Sequence, residues 1–251
     1  MGQIVDRHMT NWLSALKKAG LSVALKDTRL DLQVGAIHKT FLVAGEDFDF
    51  TAPCPHKIIP YDYVVRRPDI LTGMLLSQVK ANKKIFARNC VVQKLDKMAA
   101  HEFIQQYHLL GATGSAYCMG LLQGQDLVAV AAFSKGRKMN RLAANERSFE
   151  LIRFCTLPGL TVTGGLTKLL KAFCAEKHAG DIMTYVDKQF SEGQSFVRAG
   201  FRLHSEKVPQ QYLVNRLTYE RRLYAGEVFS KKNFYLTQNA GSIKMIYQTT
   251  T

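Results

Sequence analysis

Two adjacent glycines, Gly164 and Gly165, stand between a strand-like run over residues 149–155 and a segment in which Leu166, Leu169, Leu170, Phe173 and Cys174 recur at helical spacing. Where a chain turns from strand into helix, losing the Cβ atoms leaves backbone N–H groups pointing outward beside the positive end of the helix dipole. An anion can sit there. The same pair can serve packing alone, by letting helix and strand approach closely, and both uses stay open at this point.

Residues 181–187, Asp-Ile-Met-Thr-Tyr-Val-Asp, read as a second buried strand, and a short helix follows that ends in Gly200-Phe201, with Gly200 as its C-terminal cap. This order of strand, glycine turn, helix, strand and short helix closing on Gly-Phe resembles the core of GNAT-type acyltransferases. The chain is more specifically similar to the GNAT-like domain attached to phage Hef-like homing endonucleases, and more distantly to the Mom DNA-modification protein. That similarity rests on Ile85-Phe86-Ala87-Arg88-Asn89-Cys90, the run Tyr107 to Gly111, Glu150 to Cys155, Gly164-Gly165-x-Thr167-Lys168-Leu169, Tyr185-x-Asp187 with Ser191 and Gly193, and Asn239 to Lys244. It spans roughly residues 85–247.

The resemblance implies that Thr163, Gly164, Gly165, Thr167 and Lys168 form a turn for the pyrophosphate of acetyl-CoA or another acyl-CoA, and that a splayed strand pair admits the pantetheine arm. The usual Gln/Arg-x-x-Gly-x-Gly/Ala signature is departed from at Thr161 and Leu166. It further implies a cleft where His108, Tyr185 and Asp187 meet, His108 following the first helix of the fold and the other two ending a core strand. A histidine and a carboxylate can act as base and orienter, or His108 and Asp187 can ligate a divalent metal such as iron, as the Mom likeness suggests. Asp187 can instead simply cap the helix beginning near Ser191. Arg153, on the strand beneath the turn, can neutralise a bound phosphate or a buried Asp187.

The elements needed to hold these residues set the fold class: α/β of the α+β kind, a GNAT-like mixed, mostly antiparallel twisted sheet flanked by helices, with a small N-terminal α+β appendage. The domains expected are residues 1–80 and 81–251. With 251 residues and 47% hydrophobic content the chain can bury a substantial core, and no apolar run approaches the ~18–20 residues of a membrane span. No apolar leader opens the sequence, and Cys54, Cys90, Cys118, Cys155 and Cys174 are odd in number and scattered, so reduced core thiols in a cytoplasmic protein are expected.

A net charge of +14 makes a polyanion such as DNA or RNA the simplest partner. Residues 1–95 hold 14 basic and 8 acidic residues and residues 96–251 hold 20 and 12, so neither half alone is a nucleic-acid module. Lys135, Arg137, Lys138 and Arg141 form a basic, aperiodic stretch suited to a mobile phosphate-contacting loop. Arg221 and Arg222, with Lys231 and Lys232, are interleaved with Tyr224, Phe229 and Phe234, a pattern that can stack on bases while holding phosphates.

Along the chain, residues 1–9 show no structural signal, and a helix over 10–19 is capped by Thr10. Strand-like runs follow at 21–25, 30–34 and 39–50. Glu46, Asp47 and Asp49 invite a Mg²⁺ nuclease reading, but no Glu-x-Lys follows them, and a solvated turn accounts for the cluster. Pro53, Pro55 and Pro60 make 51–68 an irregular crossing, after which 70–79 is helical and 85–92 is the first strand of the larger sheet. A helix over 97–107 and a hairpin of 117–122 with 127–133 complete the entry to the central run. The resemblance, with the basic charge, implies a GNAT-like transferase that modifies a base or exocyclic amine of nucleic acid, encoded by a phage or mobile element. The alternatives are an inert nucleic-acid-binding module and an acyltransferase for a small amine.

Overall fold

The computed structural model describes residues 6–46, 48–50 and 55–249. In chain order the elements are α1 (Arg7–Lys18), β1 (Ser22–Lys26), β2 (Arg29–Val34), β3 (Ile37–Ala44), β4 (Lys57–Pro60), α2 (Tyr61–Arg66), α3 (Pro68–Gln78), β5 (Lys83–Phe86), β6 (Val91–Lys94), α4 (Lys97–Tyr107), β7 (Tyr117–Gln123), β8 (Asp126–Phe133), β9 (Arg147–Thr156), β10 (Leu160–Thr163), α5 (Gly165–Lys177), β11 (Ala179–Asp187), α6 (Gln194–Arg198), β12 (Phe201–Lys207), β13 (Gln211–Asn215), β14 (Arg221–Leu223), β15 (Phe234–Gln238) and β16 (Ser242–Gln248). They fall into two compact units, the first made of residues 1–81, 187–190 and 208–241, the second of 82–186, 191–207 and 242–251. Read linearly, the chain divides once near residue 80. In the structure the first unit also takes two segments from within the second half.

The second unit is built on a seven-stranded sheet in the order β12-β16-β11-β9-β8-β7-β6. The pairs β6/β7, β7/β8, β8/β9 and β12/β16 are antiparallel, and β9/β11 is parallel. This is the mixed, mostly antiparallel sheet expected. Side-chain alternation on β7 and β8 sends Met119, Leu121, Ala129, Ala131 and Phe133 to one face and Cys118, Val130 and Ala132 to the other, and a bulge at Val128 shifts the phase before Ala129. The first face receives α5, whose Leu166, Leu169, Leu170 and Phe173 are buried in the stripe anticipated from sequence. Phe173 stacks on Phe133 at 3.8 Å between ring centroids and meets Phe149 edge-on. The second face receives α4 through Ala100, Phe103 and Ile104, with Asp96 capping the helix by accepting from the Met98 and Ala99 N–H groups.

The anticipated first strand, 85–92, is broken. β5 pairs with β10 in a separate two-stranded parallel sheet, a short 3-10 turn spans Ala87–Asn89, and only β6 joins the large sheet.

The first unit has a four-stranded sheet, β1-β2-β3-β4, and a three-stranded sheet, β14-β13-β15. Its α1 starts earlier than Thr10, because Asp6 is the cap, accepting from the Met9 N–H and from the Tyr61 hydroxyl. Trp12 is buried and donates to Thr72 Oγ1. The stretch expected to be irregular holds β4 and α2, with Pro60 at the α2 N-cap, a position where its missing N–H costs nothing. Pro53 lies outside the described residues, as do Cys54 and Asp47. The separated segments are tied by polar side chains: Gln78 Nε2 donates to Phe190 O, Gln189 Nε2 donates to Ile58 O, and Arg221 makes a two-pronged ion pair with Asp62 at 2.6 and 2.7 Å.

Candidate active site

The parallel ladder between β9 and β11 runs only from Arg147/Ala179 to Glu150/Met183, although the strands continue to Thr156 and Asp187. At the same point β9 carries a bulge against β8. Leu151 is opposite Phe133 and Arg153 is opposite Ala132, so Ile152 is the additional residue. Beyond it β9 keeps its ladder with β8 through Thr156, and Ile152 to Thr156 are all half-buried, where Ser148, Phe149 and Leu151 are buried.

Strands that part leave carbonyls without a strand partner, and two side chains compensate. Thr184, itself buried, donates its hydroxyl to Leu151 O at 2.9 Å, and Arg153 Nη1 donates to Ile152 O at 3.0 Å. The opening is therefore held by its own hydrogen bonds.

The glycine turn follows β9 and β10. Gly164 is left-handed, with φ 77°, and forms the α5 N-cap; a Cβ there would meet only the Ala87 Cβ, at 3.7 Å. At Gly165 a Cβ would lie 3.0–3.2 Å from Val162 and Leu121 side chains. The two uses of the pair thus divide: Gly165 permits close packing, and Gly164 supplies the turn and an open side. The first N–H groups of a helix have no intrahelical acceptor, and Lys168 is the residue whose N–H closes the first turn, onto Gly164 O.

The Lys168 side chain is engaged elsewhere. Its Nζ donates to Ala87 O at 3.0 Å and Cys90 O at 2.5 Å, which fastens α5 to the 3-10 turn. It is a positioning cation, not a free phosphate ligand. Thr163 is exposed and Thr167 half-buried beside the turn.

Alternation places the polar candidates. On β11, Ile182 and Val186 join the core on the α5 side, so Tyr185, 42% exposed, points to the α4 side. On β9, Phe149 and Leu151 face α5, which leaves Glu150 on the α4 side. After the bulge Cys155 packs in the α4 cluster, and Arg153 shares its parity. Arg153 Nε donates to Gly111 O at 3.1 Å and so holds the loop after α4 over the splayed half of β9. Burial lowers the Arg153 pKa, countered by nearby Glu150 and Cys155. Burial also pushes the Cys155 thiol up to about 12 and the Cys174 thiol to about 11, so neither is a nucleophile near neutrality.

His108 is the α4 C-cap, in that same loop, and its Nδ1 accepts from the Leu110 N–H at 3.2 Å. A neutral imidazole that accepts at Nδ1 carries its proton on Nε2.

Asp187 does not share a unit with His108 and Tyr185. It is packed within the first unit, where it accepts from the Gln189 N–H at 2.8 Å and where burial raises its pKa against the pull of Arg221. Among the described residues no group of three or more His, Cys, Asp or Glu could hold a metal ion. The carboxylate at the opening is Glu150, which sequence reasoning quoted only as part of a motif. Its alternation against Phe149 and Leu151 was the available signal.

The cations assigned to nucleic acid separate. Lys135, Arg137 and Lys138 are exposed, but the loop is pinned by an Arg137/Ser148 backbone bridge, and Arg141 donates to buried Asp181 at 2.5 Å. This loop leads into β9, whereas the glycine turn follows β9 and β10 in the chain. Arg221, committed to Asp62 and donating to the Tyr63 hydroxyl, is a structural cation. Arg222 pairs with Glu227 and remains half-exposed.

No protein-family model matches the chain, and no curated protein sequence does. Solved structures similar to it include an IAA acetyltransferase from Bacillus cereus (12% identity, TM-score 0.40), an acetyltransferase from Bacillus subtilis in complex with CoA (14%, 0.38) and a GNAT family acetyltransferase from Elizabethkingia anophelis with acetyl-CoA bound (12%, 0.37). Each likeness covers 64% of this chain and 99% of the other.

Proposed function

We propose that the second unit is a GNAT-like acyltransferase that takes an acyl group from acyl-CoA to an amine, the acceptor being a base or exocyclic amine of DNA or RNA. One observation carries this: β9 and β11 part at Glu150/Met183, the parting is made good by Thr184 and Arg153, and the glycine turn of α5 follows β9 and β10 in the chain. A strand edge released from its ladder offers N–H and C=O groups to an extended amide-bearing arm. The residues present fit such a cofactor. Gly164 leaves the turn open, and the α5 backbone amides, with the Thr163 and Thr167 hydroxyls, would hold a pyrophosphate. Bound acyl-CoA supplies a thioester as acyl donor.

The residues on the α4 side do the rest. Glu150 accepts the proton that an attacking amine loses, while Tyr185 and the Nε2–H of His108 are hydroxyl and imidazole donors on the same side. Arg153 is a positioning residue that keeps the loop of His108 over the opening. The nucleic-acid acceptor rests on the +14 charge and on exposed Lys135, Arg137 and Lys138. A phage or mobile-element source goes with the sequence similarity described above.

Calorimetric titration with CoA and acetyl-CoA tests the donor, with binding expected in the micromolar range and none at millimolar ligand ending the acyl-CoA reading. Mass spectrometry of nucleosides digested from DNA and RNA of expressing cells tests the acceptor. An acylated nucleoside is expected; unmodified nucleosides beside acetylated polyamines would move the acceptor to a small amine.

A further inference from the structure

The first unit contains a cleft of about 460 Å³ that the transfer reaction does not use. Cavities on the order of 300–1,000 Å³ take small ligands. Phe229 and Phe234 line it, as do Phe48 and Phe50, an edge-to-face pair with centroids 4.9 Å apart, while Tyr235 is buried behind Arg216. Arg216 is fixed at this site in three ways: it pairs with Glu46, its Nε donates to Lys231 O at 2.9 Å, and its guanidinium lies 5.6 Å from the Tyr235 ring centroid. A third of its side chain stays exposed. Lys231, exposed, stands at the same rim with Lys232 next to it.

We propose that this cleft binds a nucleobase with its phosphate, as one nucleotide of a single strand. Aromatic walls select a flat ring, since stacking needs only a π-face and is tolerant of base identity. Glu46 neutralises Arg216 and fixes it as part of the wall, and the cation offered to a phosphate beside that ring is Lys231, with Lys232 next to it. The carboxylates and amides among the aromatics argue against an aliphatic chain, which would leave Glu46 and Arg216 facing hydrocarbon. A duplex keeps its ring faces stacked and cannot offer one to a cleft of this size, whereas an unstacked strand can. Within the segment 208–241, five basic residues stand against two acidic ones, and with Arg216 paired to Glu46, Arg221 to Asp62 and Arg222 to Glu227, the exposed Lys231 and Lys232 are left for the ligand. The site shares the nucleic-acid partner proposed above but not the acyl chemistry, so CoA binding is unaffected by its failure.

Fluorescence anisotropy of the full chain with a labelled single strand of ~10 nucleotides, its duplex and a labelled mononucleotide decides the matter. The strand should bind more tightly than the duplex at equal salt. Phe229→Ala should weaken it roughly 5- to 100-fold with an unchanged salt slope, and Lys231→Gln should lower the slope of log K against log salt by about 1. Equal affinity for the mononucleotide would keep the cleft and assign it a free nucleotide. Strand and duplex bound alike, with Phe229→Ala and Lys231→Gln both silent, would overturn the proposal and leave only surface charge. If Phe229→Ala does not fold, the exposed Lys231→Gln carries the test alone.

Discussion

Both units bury apolar side chains, and the first adds a nearly fully buried ion pair, Arg221 with Asp62, between segments far apart in the chain. In the second unit, apolar side chains on β7, β8 and β9 meet one apolar stripe on α5. The first unit gathers three separated segments, joined by ring contacts, Tyr61 with Tyr219 and Tyr63 with Phe190, and also by polar pairs: Arg221 on Asp62, Gln189 on Ile58 O and Gln78 on Phe190 O. Burying apolar area is forgiving of small errors, at roughly 25 cal/mol per Å². A buried charge is unforgiving, because losing its partner strands it in a medium that solvates it poorly.

The largest effect should therefore come from the first unit. Asp62 is 2% exposed, and Arg221→Met should cost about 3–5 kcal/mol, with Asp62→Asn/Arg221→Met recovering much of it. Urea denaturation followed by the fluorescence of Trp12, the single tryptophan and a first-unit residue, reads this directly. A loss under ~1 kcal/mol would mean that Arg221 is a surface cation after all.

Next is a chemical effect in the second unit. Glu150→Gln should cut transfer by ~100-fold or more while CoA binding and melting temperature stay near wild type. Full activity would remove Glu150 as the base. Between the glycines the expected effects are smaller and unequal. Gly165→Ala should cost about 1–3 kcal/mol, because Val162 and Leu121 must yield. Gly164→Ala should cost about 1–2 kcal/mol through its left-handed backbone alone. If Gly164→Ala proved the more damaging in melting experiments, the division of roles between the two would be reversed.

The same contrast explains what could be read from sequence. The α5 stripe, the β7/β8 hairpin, α4 and the strand-turn-helix order were legible because periodicities of 2 and 3.6 are local. The pairing of Arg221 with Asp62 spans 159 residues, and no local pattern announces it, which is why Arg221 looked like a phosphate ligand and 208–241 looked like part of the larger domain. Residues 85–92 read as one strand since Ile85, Phe86, Val91 and Val92 are strand formers on both sides of Ala87–Asn89. Only the lysine of α5, donating to Ala87 O and Cys90 O, shows why the chain turns there. His108 was found by its place after a helix, but its tautomer depends on the Leu110 N–H, which no spacing rule reports.

Asp187 gives the smallest effect and the sharpest contrast between a catalytic and a structural carboxylate. Burial raises its pKa above 3.8, and the Gln189 N–H and Arg221 only partly offset this. A carboxyl whose folded pKa is raised takes up its proton more readily in the folded state than in the unfolded one. Its ionised form therefore costs stability at pH values above the folded pKa, the cost fades as pH falls through that pKa, and it is gone below about 3.8, where both states are protonated. Asp187→Asn keeps an oxygen to accept from the Gln189 N–H and removes the buried charge. It should raise the melting temperature slightly at pH 7, with the advantage over wild type shrinking toward pH 4, and should leave transfer activity unchanged. Melting curves at both pH values check the sign. A variant less stable than wild type at pH 7 would show that Arg221 depends on this charge as well as on Asp62, and a ~100-fold loss of transfer would return Asp187 to the active site.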